Sequence, residues 1–165
     1  MIIVKKGNII YEDVDVIVNA TNSRLAGGGG VDSTIRLAAG GLVITELSTF
    51  ESCPPGKAVM TSGGNLRVKK IIHTVGPVWQ GGDKGEEETL RSAYEECFKL
   101  AKEENLESIA FPAISTGAYG YPKEPATRIA FEVARKHENE FKEIRFVCYS
   151  DGDLAVYKKV ENEKS

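Results

Sequence analysis

The segment that decides the fold is Asp15–Ala39, which reads DVIVNATNSRLAGGGGVDSTIRLAA. Its first residues, Asp15–Asn19, are mostly β-branched and predict a short buried strand. Four consecutive glycines follow at 27–30, and Ser33–Ala39 then reads as a helix. Glycines let main-chain N–H groups approach a ligand, and a helix start carries partial positive charge. The order of strand, glycine loop and helix is therefore compatible with a phosphate site, but the glycines alone fit a flexible surface loop equally well.

Strands recur along the rest of the chain. Three more runs rich in β-branched and aromatic residues are expected to be strands: Lys70–Thr74, Ser108–Phe111 and Ile144–Tyr149. A last helix is predicted from about Asp151. Strands alternating with helices indicate an α/β layer fold, whose ligand site usually lies at the carboxyl ends of central strands.

Two long helices are predicted from apolar residues at helical spacing. One carries Leu90–Ala101, and Asp83 with Glu86 is expected to cap its amino end. The other carries Ala126–Ala134, after a proline suited to a first helical turn. The acidic run Glu86–Glu88 is expected on a solvated helix face, as charge runs usually are.

Length and charge limit the classes of protein to consider. The chain has 165 residues, which predicts one domain over 1–165. Its 21 basic and 24 acidic residues leave a net charge of −3, so electrostatic binding to the phosphate backbone of nucleic acid is not expected. No apolar run is long enough for a membrane span, and the amino terminus does not resemble a secretory signal, so we expect a cytoplasmic protein without a membrane partner.

The cysteines do not indicate a metal centre or a disulfide framework. Cys53, Cys97 and Cys148 are odd in number and far apart, without a CxxC spacing. A nucleophile made by one of them with His73 or His137 finds little support in this pattern. His73, in a predicted strand, is expected to be structural.

A second loop with phosphate-binding character follows the strand Ser108–Phe111. Residues 112–122 read PAISTGAYGYP and combine small hydroxyl residues, two glycines and tyrosines. Such a turn suits a nest of N–H groups around a phosphate, although alone it could be an ordinary turn. Two such loops after two strands indicate a diphosphate lying across the end of the sheet. Lysine and serine or threonine do not follow the glycines in Walker order, which disfavours a P-loop ATPase.

These motifs resemble those of the macro domain family, most closely its MacroD-like branch. The resemblance covers nearly the whole chain and rests on motifs in this order: Gly7–Ile9, Asn19–Asn22, Gly28–Asp32, Ile72–Pro77, Phe111–Gly117 and Val147–Tyr149. It implies a three-layer α/β/α sandwich with a mixed central sheet, a cleft for ADP-ribose, and neither cofactor nor metal. MacroD-like members remove ADP-ribose from acidic side chains and deacetylate O-acetyl-ADP-ribose, whereas other macro domains only bind.

The resemblance also implies roles for individual residues. Asn22 and Asp32 match the catalytic pair, with Asn22 on the distal ribose and Asp32 facing the scissile ester. Tyr119 matches an aromatic residue near the distal ribose, and Tyr149 one that stacks on adenine. The implied ligand contacts, including both phosphate loops, are Asn8, Ile9, Ala20, Gly28, Gly29, Gly30, Val31, Ser115, Thr116, Gly117, Ala118, Tyr119 and Tyr149.

Two positions depart from the family pattern. Asn8 stands where most members have an aspartate that accepts a hydrogen bond from the adenine amino group. An amide oxygen can accept this bond, but without charge assistance it should be about half as strong. Arg36 stands where several relatives have histidine, which leaves any auxiliary role at that position open.

Three functions fit the sequence. As an enzyme, the protein would use Asp32 to orient or deprotonate water and Asn22 to hold the ribose, with ADP-ribose derivatives and mono-ADP-ribosylated proteins as partners. As a non-catalytic reader, it would need only the loops and Tyr149. Asp32 would then be a helix cap. Independently of that choice, Asn22 could be a turn residue and Tyr149 a packing residue. A nucleotide-binding or RNA-linked phosphoesterase module is disfavoured by the acidic charge.

Overall fold

The computed structural model describes residues 1–163, which form one six-stranded sheet between two layers of helices. The strands are β1 Ile2–Lys6, β2 Val16–Ala20, β3 Ala58–Ser62, β4 Lys70–Thr74, β5 Ser108–Phe111 and β6 Glu143–Cys148. The helices are α1 Gly30–Ala39, α2 Gly41–Leu47, α3 Glu86–Glu103, α4 Lys123–His137 and α5 Asp151–Glu161. Short 3₁₀ turns occupy Ile9–Tyr11 and Glu138–Glu140.

The sheet has the strand order β1-β6-β5-β2-β4-β3. The first five strands in this order pair in parallel, and only β3 runs antiparallel, at the edge. Parallel strands end at the same edge of a sheet, so the loops after β1, β6, β5, β2 and β4 lie side by side. This arrangement positions the site described below.

Both faces of the sheet are covered. In β2, Val16 and Val18 pack into the apolar cluster that includes Leu90 and Phe131 of α3 and α4, whereas Ile17 packs on the other face with Ile35 of α1. A parallel strand buried on both faces reads as a continuous apolar run, as this one does. Among residues 1–163, no helix is both long and apolar enough to cross a membrane.

The expected three-layer α/β/α architecture with a mixed sheet is confirmed. The four predicted strands are present, with ends shifted by one residue at most. The strands β1 and β3 and the helix α2 were not predicted. β1 ends in two lysines and β3 is half-buried, so neither has the apolar run of a central strand. The seven residues of α2 are too few to show a helical period.

The amino end of α3 corrects two predictions. Asp83 does not cap the helix, because Gly85 occupies the cap position in a left-handed conformation. Glu86 is not on a solvated face but is 2% exposed. Its carboxylate accepts hydrogen bonds from the main-chain N–H groups of Gln80, Gly82 and Lys84. Burial opposes ionisation of Glu86, but these donors outweigh burial and lower its pKa to about 2.

Candidate functional site

A cleft of about 590 Å³ runs along the carboxyl ends of the parallel strands. Every residue that the sequence predicts to bind ligand or act in catalysis lines it. Asn8 and Ile9 follow β1, Tyr149 follows β6, the loop Ser115–Tyr119 follows β5, and Asn22 follows β2. With strands about 4.8 Å apart, the five strand ends span about 19 Å, which makes the cleft a trough rather than a round pocket.

The glycine loop presents the start of α1 to this trough. Gly29 is the cap residue of α1, and no side chain bonds to the helix start. The first N–H groups of a helix have no acceptor within the helix, so they are available to an anion. Gly27 and Gly30 have φ of 90° and 62°, a region that side chains other than glycine rarely adopt. The glycines are therefore required by backbone conformation at two of the four positions.

Hydrogen bonds that its carbonyl groups accept shape the second loop. The carbonyl of Ser115 accepts from the N–H of Tyr121 at 2.9 Å, and that of Gly117 accepts from Gly120 at 3.0 Å. The carbonyl of Tyr119 accepts from Trp79 at 2.8 Å. Ser115 has φ of 68°, which is costly for a side chain other than glycine. With these three carbonyls bonded to protein, the N–H groups of the loop are available to an anion, as in a nest.

Asp32 lies within the first turn of α1 and is 3% exposed. Its Oδ1 accepts from Nδ2 of Asn19 at 2.8 Å and from Nε of Arg36 at 2.7 Å. Its Oδ2 accepts from the hydroxyl of Thr21 at 2.9 Å. The interpretation of Asp32 as a helix cap is wrong, because the cap position belongs to Gly29 and the carboxylate bonds other side chains. One acceptor direction of Oδ2 remains, on the side of Gly28.

A buried histidine supports this carboxylate through Asn19. Nδ1 of His73 lies 3.2 Å from Nδ2 of Asn19, and its Nε2 lies 2.9 Å from the hydroxyl of Thr61. That hydroxyl donates its proton to the carbonyl of Ser62, so Nε2 of His73 must donate and Nδ1 must accept. Burial and the nearby Arg36 charge lower the pKa of His73 to about 4. His73 is therefore neutral and structural, as its strand position predicted.

Asn22 organises the glycine loop while facing the cleft. Its Nδ2 donates to the carbonyl of Gly27 at 3.0 Å, and its Oδ1 accepts from the N–H of Ala26 at 3.3 Å. The interpretation of Asn22 as a residue in an unusual turn conformation is wrong, because the left-handed conformation falls on Leu25 instead. One N–H and one acceptor direction of the amide remain for a ligand.

The other end of the trough is open and aromatic. Tyr149 is 74% exposed, so its interpretation as a packing residue is wrong. Oδ1 of Asn8 accepts from the N–H of Ile10 at 3.2 Å and so holds the 3₁₀ turn that follows β1. A second acceptor direction of the same oxygen remains free for a ligand amino group.

Ten of the 25 residues that line the cleft were not predicted as site residues, among them Gly76, Lys123 and Asp153. A Cβ on Gly76 would lie 2.1 Å from Oγ of Ser115, so only glycine permits the loop after β4 to touch the second loop. Its position just after a predicted strand was the available signal. Lys123 and Asp153 form an ion pair of 2.8 Å at the cleft. They lie 30 positions apart on two helices, and no motif joins them.

None of the three cysteines lines the cleft. All three are buried and free, and burial raises the pKa of the Cys148 thiol to about 12. Within residues 1–163, no three His, Cys, Asp or Glu side chains come together as a possible metal site.

Comparison with known proteins decides the family. The Macro domain family model matches residues 18–130. The chain belongs to the macro domain family. This macro domain is 51% identical over 164 residues to the Macro domain-containing protein TTE0995 of Caldanaerobacter subterraneus, covering 96% of this chain and 94% of the relative. It is 47% identical over 161 residues to the O-acetyl-ADP-ribose deacetylase of Klebsiella pneumoniae, covering 93% and 92%. The resemblance stated from the motifs is thereby confirmed.

Solved structures of macro domains have the same fold as this chain over nearly its whole length. The Oceanobacillus iheyensis macrodomain with ADP has a TM-score of 0.90 and 38% identity, covering 94% of this chain and 87% of that one. Three other structures of that protein carry single substitutions: of an asparagine, of a glycine seven positions later, and of an aspartate three positions after the glycine. Asn22, Gly29 and Asp32 have the same separations here.

Proposed function

We propose that this macro domain binds ADP-ribose and hydrolyses esters of its distal ribose, in O-acetyl-ADP-ribose and in proteins modified on acidic side chains. The single observation that carries the proposal is the pair of N–H-bearing loops facing one trough, with the Asp32 carboxylate beside the first loop. The names of the relatives support the same ligand and, for the Klebsiella protein, the deacetylation.

The order of the loops along the sheet supports one orientation of the ligand. The adenine would lie between Asn8 and Tyr149 at the β1 and β6 end. The diphosphate would bridge the loops after β5 and β2, held by main-chain N–H groups that restrict its motion throughout the reaction. The distal ribose would then reach Asn22 and Asp32.

The contacts of Asp32 favour orientation of water over proton abstraction. Three donors already occupy three of the four acceptor directions of the carboxylate, which fixes its position and leaves one direction for a water molecule. The free acceptor direction of Oδ2 can hold a water molecule against the ester, and the substrate diphosphate can accept a second hydrogen bond from the same water. Water adds across the ester, and the products are a carboxylic acid and a ribose hydroxyl. Asn22 would fix the ribose hydroxyls through its remaining amide N–H and oxygen.

A reader role without hydrolysis is the second candidate, because the same three donors also suit a purely structural carboxylate. The test incubates the purified protein with O-acetyl-ADP-ribose and with a peptide ADP-ribosylated on glutamate, followed by product analysis. We expect Asp32→Asn to lower turnover about 100-fold, the loss that misplacement of a reacting group by about 1 Å can cause, while calorimetry still detects binding of ADP-ribose.

Glu12→Gln is the matched control, because Glu12 is also buried and paired but lies outside the cleft. It should turn over at the wild-type rate. Binding by wild type without product would establish the reader role, and equal turnover by Asp32→Asn would remove Asp32 from the mechanism.

A further inference from the structure

Arg36 lies behind the glycine loop and does not line the cleft. Its side chain is 12% exposed and projects from α1 one turn after Asp32. Nε donates to Oδ1 of Asp32 at 2.7 Å, while Nη2 donates to the carbonyl of Leu25 at 2.8 Å. One guanidinium group therefore joins the helix that carries Asp32 to the segment that precedes the glycines.

Within residues 1–163, the bond from Arg36 to Leu25 is the only hydrogen bond between segment 22–27 and α1, although the Leu25 side chain also packs in the apolar cluster that contains Ile35. Leu25 is in a left-handed conformation with φ of 57°, and its N–H donates to the carbonyl of Asn22 at 3.0 Å. Gly27 approaches the Arg36 side chain so closely that a Cβ there would lie 3.5 Å from it. Between Gly27 and α1 come only Gly28 and Gly29, which have no side chains to anchor them.

We propose that Arg36 is a positioning residue for the hydrolysis proposed above, on which this inference rests. By bridging Asp32 and Leu25, it sets the position of Asn22 relative to the carboxylate. The N–H groups that would hold the diphosphate belong to the start of α1 and to the second loop, so they do not depend on this bridge. Arg36 therefore controls turnover more than ligand affinity.

Substitution by lysine separates the geometry of Arg36 from its charge. A lysine keeps the positive charge beside Asp32 but has a single nitrogen, which cannot reproduce the planar fork that reaches Asp32 and Leu25 together. Charge neutralisation of Asp32 next to a bound diphosphate is thus retained. The bridge to the loop is lost.

The control is Arg145→Lys. The Arg145 side chain is 13% exposed and binds the carboxylates of Glu12, Asp13 and Glu143, so it matches Arg36 in burial and in ion pairing. It lies outside the cleft. Any effect that comes only from disturbing a buried arginine should therefore appear in both variants.

For Arg36→Lys, we expect kcat for O-acetyl-ADP-ribose to fall at least tenfold, while the Kd for ADP-ribose changes less than threefold. Arg145→Lys should leave both unchanged. Methylguanidinium at millimolar concentration should restore part of the turnover of Arg36→Ala, because it can reoccupy the space of the side chain. A kcat for Arg36→Lys within twofold of wild type would overturn the proposal.

Hydrogen exchange tests the bridge without any turnover. The amides of Leu25 and Ala26 bond to Asn22, and their exchange should accelerate at least tenfold in Arg36→Lys but not in Arg145→Lys. Unchanged exchange would refute the positioning role. If wild type hydrolyses neither substrate, the proposed function fails, and exchange alone decides whether Arg36 holds the loop.

Discussion

Replacement of Gly76 by alanine is a sharp test of how the two loops are held together. Gly76 follows β4, and its backbone needs no positive φ, so alanine is not excluded by conformation. The added Cβ would, however, lie 2.1 Å from Oγ of Ser115 and 2.7 Å from Cγ2 of Ile114. Neither distance is possible for a real Cβ, so the side chains of Ser115 and Ile114 or the backbone of the second loop must move.

The size of the movement follows from these distances. Ordinary contacts of a Cβ begin at 3.4 Å, so Oγ of Ser115 must withdraw by about 1.3 Å, by rotation or by displacement of the loop. Good N–H···O bonds span a range of only about 0.5 Å, from about 2.7 to 3.2 Å. A hydrogen bond to a charged group contributes about 1.5–3 kcal/mol, so loss of one bond to the diphosphate weakens binding at least about tenfold.

The assay is calorimetric titration of Gly76→Ala with ADP-ribose, together with denaturant unfolding. Overpacking should cost about 1–3 kcal/mol of stability and leave the protein folded. Gly41→Ala is the control, because a Cβ at Gly41 meets no atom within 4 Å and Gly41 lies outside the cleft. Adding Ser115→Gly to Gly76→Ala removes the shorter of the two overlaps and should recover part of the affinity. Wild-type affinity in Gly76→Ala would refute the reasoning.

Three further predictions follow from single side chains. Asn8→Asp should strengthen binding of ADP-ribose relative to its hypoxanthine analogue, measured by paired titrations; an unchanged ratio would contradict the role of Asn8 in adenine selection. His73 has a folded pKa of about 4 against an ordinary 6.5, so the unfolded chain binds more protons between these values and stability falls by roughly 3 kcal/mol as pH drops from 6.5 through 4. Between these pH values, the free energy of unfolding should change less with pH in His73→Gln than in wild type. The same pH dependence in both proteins would refute the role of His73. Glu86, with a folded pKa of about 2, contributes stability above pH 4.5 that is lost as pH falls through 2, so Glu86→Gln should flatten the acid-unfolding profile whereas exposed Glu88→Gln should not.

Local sequence patterns were sufficient to predict the strands and helices in which apolar residues follow a regular pattern. The apolar runs of β2, β4, β5 and β6 and the helical spacing of α3 and α4 were readable because these elements are buried on broad faces. The edge strands and the short α2 were not readable, because half-buried or brief elements carry little periodicity. The buried state of Glu86 was hidden for another reason, since its three donors lie in a loop whose path no local pattern indicates.

By itself, the sequence determined the family, the alternation of strands and helices, and the two loops that face the cleft, because these depend on residue types within short segments. Only the tertiary structure decided what surrounds Asp32. Asn19 and Thr21 reach its carboxylate from a strand and a loop, so their bonds exist only after the chain has packed, whereas Arg36 lies one turn away on the same helix. The closeness of Gly76 to Ser115 is likewise a property of adjacent loops in the sheet, which pairing of distant strands creates and no local pattern contains.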